Sequence, residues 1–194
     1  MREWALPPCL HVPIVAIDEA AIHDHIGEIV SVLSPGRALL VAVDPPPDRD
    51  FSLPIWEHPN VENLFEPLQV WVSPTYTRYR PAYRRAKGDA AVEGAVLHHV
   101  YNRRSAVLRG FGFIRLVPIS RRANSSSSFT EQWGVSLNTP ERIARLKARN
   151  LKMQFADLGD LMAMLDIDLG GGVQEAMRLG QNLVEPRGLR PPQG

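Results

Sequence analysis

Cysteine is almost missing from this chain: Cys9 is the single one among 194 residues. One thiol excludes an internal disulfide and a zinc site built from cysteines. Long apolar runs are missing too, and no window approaches the roughly 18 apolar residues that a helical membrane span needs. The N-terminus carries Glu3 and no basic-then-apolar pattern, so a cleaved secretion signal is not expected and a cytoplasmic location is. Lysine is scarce, with Lys87, Lys147 and Lys152 beside nineteen arginines, and no histidine follows His99. Gly170-Gly171-Gly172 lacks the lysine and the serine or threonine of a P-loop, which leaves nucleotide binding unsupported.

What is present is enough for a globular core. Hydrophobic residues make up 44% and charged residues 22%, ordinary values that exclude wholesale disorder. The net charge of +1 hides a polarity along the chain. Residues 1–70 carry a net −8, residues 71–122 a net +9, and residues 123–194 balance to zero. Charge asymmetry speaks to partners rather than to fold. The middle third is built to attract a polyanion, while the acidic first third suits a protein partner or the basic segment itself.

Periodicity predicts an α+β chain with an acidic α/β region over 1–70, a basic ββα-like core over 71–138, a helical region over 139–185 and a flexible tail over 186–194. In the first region His11–Ile17 and Ala38–Val43 read as strands. Between them Asp18 caps a helix whose Ile22, Ile26, Ile29, Val30 and Leu33 share one face, stopped by Ser34-Pro35-Gly36. Gln69–Val72 is a further strand, and Tyr76–Lys87 is basic and helical after Pro81. Ala95–Val100 and Phe113–Val117 are expected as antiparallel strands, joined by a loop or short helix presenting Arg103 and Arg104 and closed by Pro118. Phe129–Trp133 reads as one or two helical turns. Helices are predicted from Thr139-Pro140 and over Asp157–Leu165, the latter ended by the glycine triplet.

The chemistry concentrates in the basic core. From Arg78 to Arg122 eleven basic residues stand against Asp89 and Glu93. Inside that tract lie His98-His99, followed by Asn124. Phosphodiester cleavage needs a base, a divalent cation on the scissile phosphate and cations that hold the backbone. His99 suits the base, because neutral imidazole accepts a proton at physiological pH. Asn124 offers an amide oxygen to a hard cation such as magnesium, with Glu131 near enough in sequence to join directly or through water. Adjacent strand residues face opposite ways, so the two histidines share one site only at a strand end or bulge, and if they do, His98 is the metal ligand. Arg103, Arg104, Arg121 and Arg122 are the expected nucleic-acid contacts. Plainer readings stand beside these: one core and one surface histidine of a strand, a turn or cap at Asn124, and a solvated arginine face.

Leu97-His98-His99, Pro118 to Asn124, and Glu131 and Trp133 behind them resemble the His-Me finger (HNH- and LHH-like, ββα-metal) nucleases over about residues 95–133. The doubled histidine is similar to the one that opens the finger in LHH-type toxin nucleases. The spacing from proline to asparagine is similar to that of the non-specific nucleases. The resemblance implies a metal-dependent endonuclease from a phage, plasmid or toxin gene, with magnesium as cofactor and DNA or RNA as partner. The closing histidine of the HNH and LHH groups and the Asp-Arg-Gly-His signature are absent here. The alternatives are a nucleic-acid-binding or assembly protein that does not cleave, and a protein–protein adaptor whose acidic and basic parts pair.

Overall fold

The alternating and β-branched runs assemble into one antiparallel sheet. The structure, a computed structural model, describes residues 6–46, 48–126, 151–168 and 170–186. Its strands are β1 (Pro13–Ala16), β2 (Glu28–Ser34), β3 (Ala38–Ala42), β4 (Leu68–Val72), β5 (Val96–His99), β6 (Phe113–Ile119) and β7 (Met153–Phe155). They lie in the order β2-β3-β4-β6-β1-β7, with β5 also paired to β6. Helices α1 (Glu19–His25), α2 (Tyr79–Lys87), α3 (Arg103–Arg109), α4 (121–126), α5 (Leu158–Met164) and α6 (Val173–Val184) surround the sheet. The fold is mixed α+β.

Strand alternation splits the core into two faces. Leu39, Val41, Trp71 and Phe113 point to one face and pack with Ala21 and Ile22 of α1. Ala38, Val70, Val72, Leu97 and Leu116 point to the other, under Ala82 and Tyr83 of α2. A third cluster joins β1 and the far half of β6 to the 3-10 turns Pro54–Glu57 and Val61–Asn63 and to α5. β6 is the hub. Its Leu116 pairs with Val70 of β4 on one side and with His99 of β5 on the other.

The helix expected over residues 18–33 is corrected: α1 stops at His25 and residues 28–34 form β2. Asp18 does cap α1, accepting from the Ala21 N–H at 2.8 Å. The break falls at Gly27, where a Cβ would lie 2.0 Å from the Ala42 carbonyl oxygen. Beyond it the β-branched Ile29, Val30 and Val32 fit a pleated strand better than a helix. Ser34 to Arg37 then turns the chain into β3 instead of ending a helix, with the Arg37 N–H on the Ser34 carbonyl at 2.9 Å.

Three further boundaries shift. α2 starts at Tyr79, with Pro81 inside its first turn, where a proline's missing N–H costs nothing. β6 runs through Pro118 to Ile119. Pairing with β4 ends at Leu116, so only β5 flanks β6 at Pro118 and the lost donor is tolerated. β7, three residues long, is a strand inside the region expected to be helical over 139–185, whereas α6 lies within that region and starts directly after the glycines expected to be a breaker. The segments predicted over Phe129–Trp133 and from Thr139, and the tail from 187, lie outside the described residues.

Candidate nucleic-acid site

The two histidines end β5, and the connection that follows is built from local signals. Asn102 caps α3 by accepting from the Ser105 N–H at 3.0 Å. Gly110 stops the helix in the left-handed region at φ 83°, a conformation that costs glycine nothing. β6 then returns antiparallel beside β5, pairing His98 with Val117 and His99 with Leu116. After Ile119 the Ser120 hydroxyl oxygen accepts from the Ala123 N–H at 3.1 Å and caps α4. Asp166 fixes the same corner by accepting from the Ser120 N–H at 2.6 Å. Ala123 is buried in the core, and this orientation turns Asn124 toward β5.

His98 and Asn124 meet. His98 Nδ1 lies 3.2 Å from Asn124 Oδ1, and His98 is buried, at 6% exposure. His99 is the next residue of an extended strand, so its side chain leaves on the opposite side. There its ring meets the Tyr79 ring edge-on, with centroids 4.6 Å apart. Its Nε2 is buried and finds no hydrogen-bond partner among the described residues. Burial, then the nearby Arg103 and His98 charges, pull the His99 pKa down to about 4. The ring is therefore neutral at physiological pH, with one nitrogen able to accept a proton.

The arginines separate into engaged and available groups. Arg103 is half-buried and donates from Nε to the Pro74 carbonyl at 2.6 Å. Arg104 and Arg121 are exposed at the starts of α3 and α4. Arg122 is exposed as well, but it is ion-paired with Asp168. Arg115 lies fully buried, donating to the carbonyls of Leu64 at 2.8 Å and Asn63 at 2.6 Å; burial lowers its pKa to about 10. It belongs to the architecture, not to the surface. Glu131 lies outside the described residues.

Tyr79, Asp166 and Asp168 shape this region and were missed from sequence. Each is brought in by tertiary pairing from a distant segment, and no local pattern marks it. Among the described residues no three His, Cys, Asp or Glu side chains converge as a metal cluster. Among those residues, too, no helix is long and apolar enough to cross a membrane. Compared with protein-family profiles, with curated proteins and with solved structures, the chain matches none.

Proposed function

We propose that this chain is a metal-dependent nuclease acting on nucleic-acid phosphodiesters, with β5, β6 and α4 forming a finger of the His-Me kind. The observation that carries the reading is the 3.2 Å approach of His98 Nδ1 to Asn124 Oδ1. The two atoms are hydrogen-bonded to each other here, and once Nδ1 gives up its proton their spacing would also suit two ligands of one divalent ion such as magnesium, which stand roughly 3 Å apart. Neither donor is a carboxylate, and Glu131, outside the described residues, is the acidic group that this reading adds. When bound, such an ion stabilises negative charge on the scissile phosphate and the leaving oxygen. In this reading His99, held neutral, is the base for the attacking water even though its ring leaves β5 on the side away from the His98–Asn124 pair, and Arg104 and Arg121 hold the flanking phosphates.

The test is incubation of the protein with plasmid DNA and with total RNA, in magnesium or in chelator. Cleavage is expected with magnesium alone, and should be lost in His98→Ala and Asn124→Ala. No cleavage under any condition, or cleavage indifferent to chelator, rejects the reading.

A second reading, nucleic-acid binding without cleavage, is supported by the burial of His99 Nε2 and by the strand alternation that turns His99 away from the His98–Asn124 pair. Binding that persists in chelator without any cleavage would select it.

A further inference from the structure

We propose that the nucleic-acid backbone seats in an arginine cradle around the turn between β4 and α2, built from Arg37, Arg78, Arg80, Arg103 and Arg104. This rests on the reading that the chain engages nucleic acid, but not on cleavage. Three segments far apart in sequence converge there. The Ser73 N–H donates to the Arg37 carbonyl at 2.8 Å, which brings the β2–β3 turn to the end of β4. Arg103 donates to the Pro74 carbonyl at 2.6 Å and brings in the start of α3. Tyr79, the first residue of α2, stands edge-on against His99 and fixes the third side between Arg78 and Arg80. The cradle thus lies on the His99 side of β5, opposite Asn124.

Two facts make it cationic. No aspartate or glutamate occurs from Pro67 to Gly88 or from Gly94 to Thr130. Arg37, Arg78, Arg80 and Arg104 are exposed and have no ion pair with a described residue. The rest of the basic tract is largely committed elsewhere. Arg84 pairs with Asp89, Lys87 with Glu66 and Arg122 with Asp168, while Arg109 is held by Gln154 and Tyr101. Guanidinium forks match phosphate oxygens two at a time, and the exposed Thr75 and Thr77 add the neutral hydroxyl contacts usual along a sugar–phosphate backbone.

The experiment is fluorescence anisotropy of the full chain with labelled single-stranded and duplex DNA of about 30 nucleotides, in chelator so that nothing is cut, over a salt series. The combined variant Arg78→Ala, Arg80→Ala and Arg104→Ala is expected to weaken binding about tenfold or more. It should also flatten the duplex log–log salt slope by roughly 0.9 for each phosphate contact removed. Arg84→Ala, which removes an arginine already paired with Asp89, is expected to stay within about twofold. Circular dichroism melting checks that the variants fold; should the triple variant fail, Arg80→Ala and Arg104→Ala, both exposed, are measured singly. Unchanged binding by the folded variants overturns the cradle while leaving nucleic-acid engagement intact. No binding by the wild-type chain overturns that reading and the cradle with it. Equal binding to phosphatidylserine vesicles or to polyglutamate, lost in the same variants, overturns the assignment to nucleic acid.

Discussion

His98 Nδ1 lies 3.2 Å from Asn124 Oδ1, a contact between residues 26 positions apart. Two local devices produce it: the antiparallel return of β6 beside β5, and the serine cap that starts α4 one residue after β6 ends. His98 is buried and Asn124 half-buried, beside Ala123, which is packed in the core.

Coupling between the two should be measurable without any substrate. Asn124→Ala removes the acceptor and is expected to cost about 0.5–1.5 kcal/mol of folding stability. A double-mutant cycle with His98→Ala, read by urea unfolding at neutral pH, should show a coupling of at least about 0.5 kcal/mol. Additive losses would mean that the bond does not form in solution.

His99 makes stability depend on pH. Unfolded, its imidazole has the ordinary pKa of 6.5; folded, burial holds it at about 4. Between those values the unfolded chain binds a proton that the folded chain refuses. Stability is thus complete above about pH 6.5 and falls as the pH drops toward 4, by an amount on the order of 2–3 kcal/mol. His58, lowered mainly by burial and opposed by Asp166, adds to the same trend. His99→Phe keeps a ring against Tyr79 and should reduce the difference in unfolding free energy between pH 5 and pH 7.5. An undiminished difference would assign the effect elsewhere.

For activity, His99→Ala is expected to lower metal-dependent cleavage by about 10²-fold or more while the protein stays folded. Single-turnover rates in magnesium decide it. A rate equal to wild type would remove His99 from the chemistry and leave it a core residue.

Arg115 should prove structural. Arg115→Met strands the Asn63 and Leu64 carbonyls that the guanidinium now satisfies, at about 1–3 kcal/mol each. Arg115→Lys, with a single donor head, should recover part of the loss. Both are read from urea midpoints, and a neutral Arg115→Met would show that the 3-10 turn re-forms around an apolar side chain.

Two glycines separate close approach from backbone conformation. Gly27→Ala forces a methyl against the Ala42 carbonyl and is expected to cost about 1–3 kcal/mol or more. Gly36→Ala meets open space and suffers only its φ of +60°, at roughly 1 kcal/mol. Thermal melts of the two variants should rank in that order.

The β5–β6 hairpin was readable because short apolar runs flank a loop with its own cap and stop, Asn102 and Gly110. The helix expected over Asp157–Leu165 is present as α5, opened by the Asp157 cap and its capping box with Asp160. Residues 26–33 misled because Ile and Val at helical spacing also suit a strand, and only the contact of Gly27 with Ala42 decides between the two. Three-residue β7 is too short to show a period, and it takes its register from β1. At the site, the residue types were legible but the facing was not. Adjacent histidines must part, and which of them turned toward Asn124 depended on the register of β5 against β6.

The edge of β6 that faces β1 and β5 carries a consequence for the order of events during synthesis. β1 leaves the ribosome early, yet one neighbour is β6, about a hundred residues later, and the other is β7, still further on. Until those strands emerge, only the β2–β3–β4 meander can form, and the apolar Ile14 and Val15 wait without cover. Such long-range closure is slow and leaves sticky intermediates exposed. The half-made form, with this apolar surface uncovered, is therefore the species most prone to aggregate.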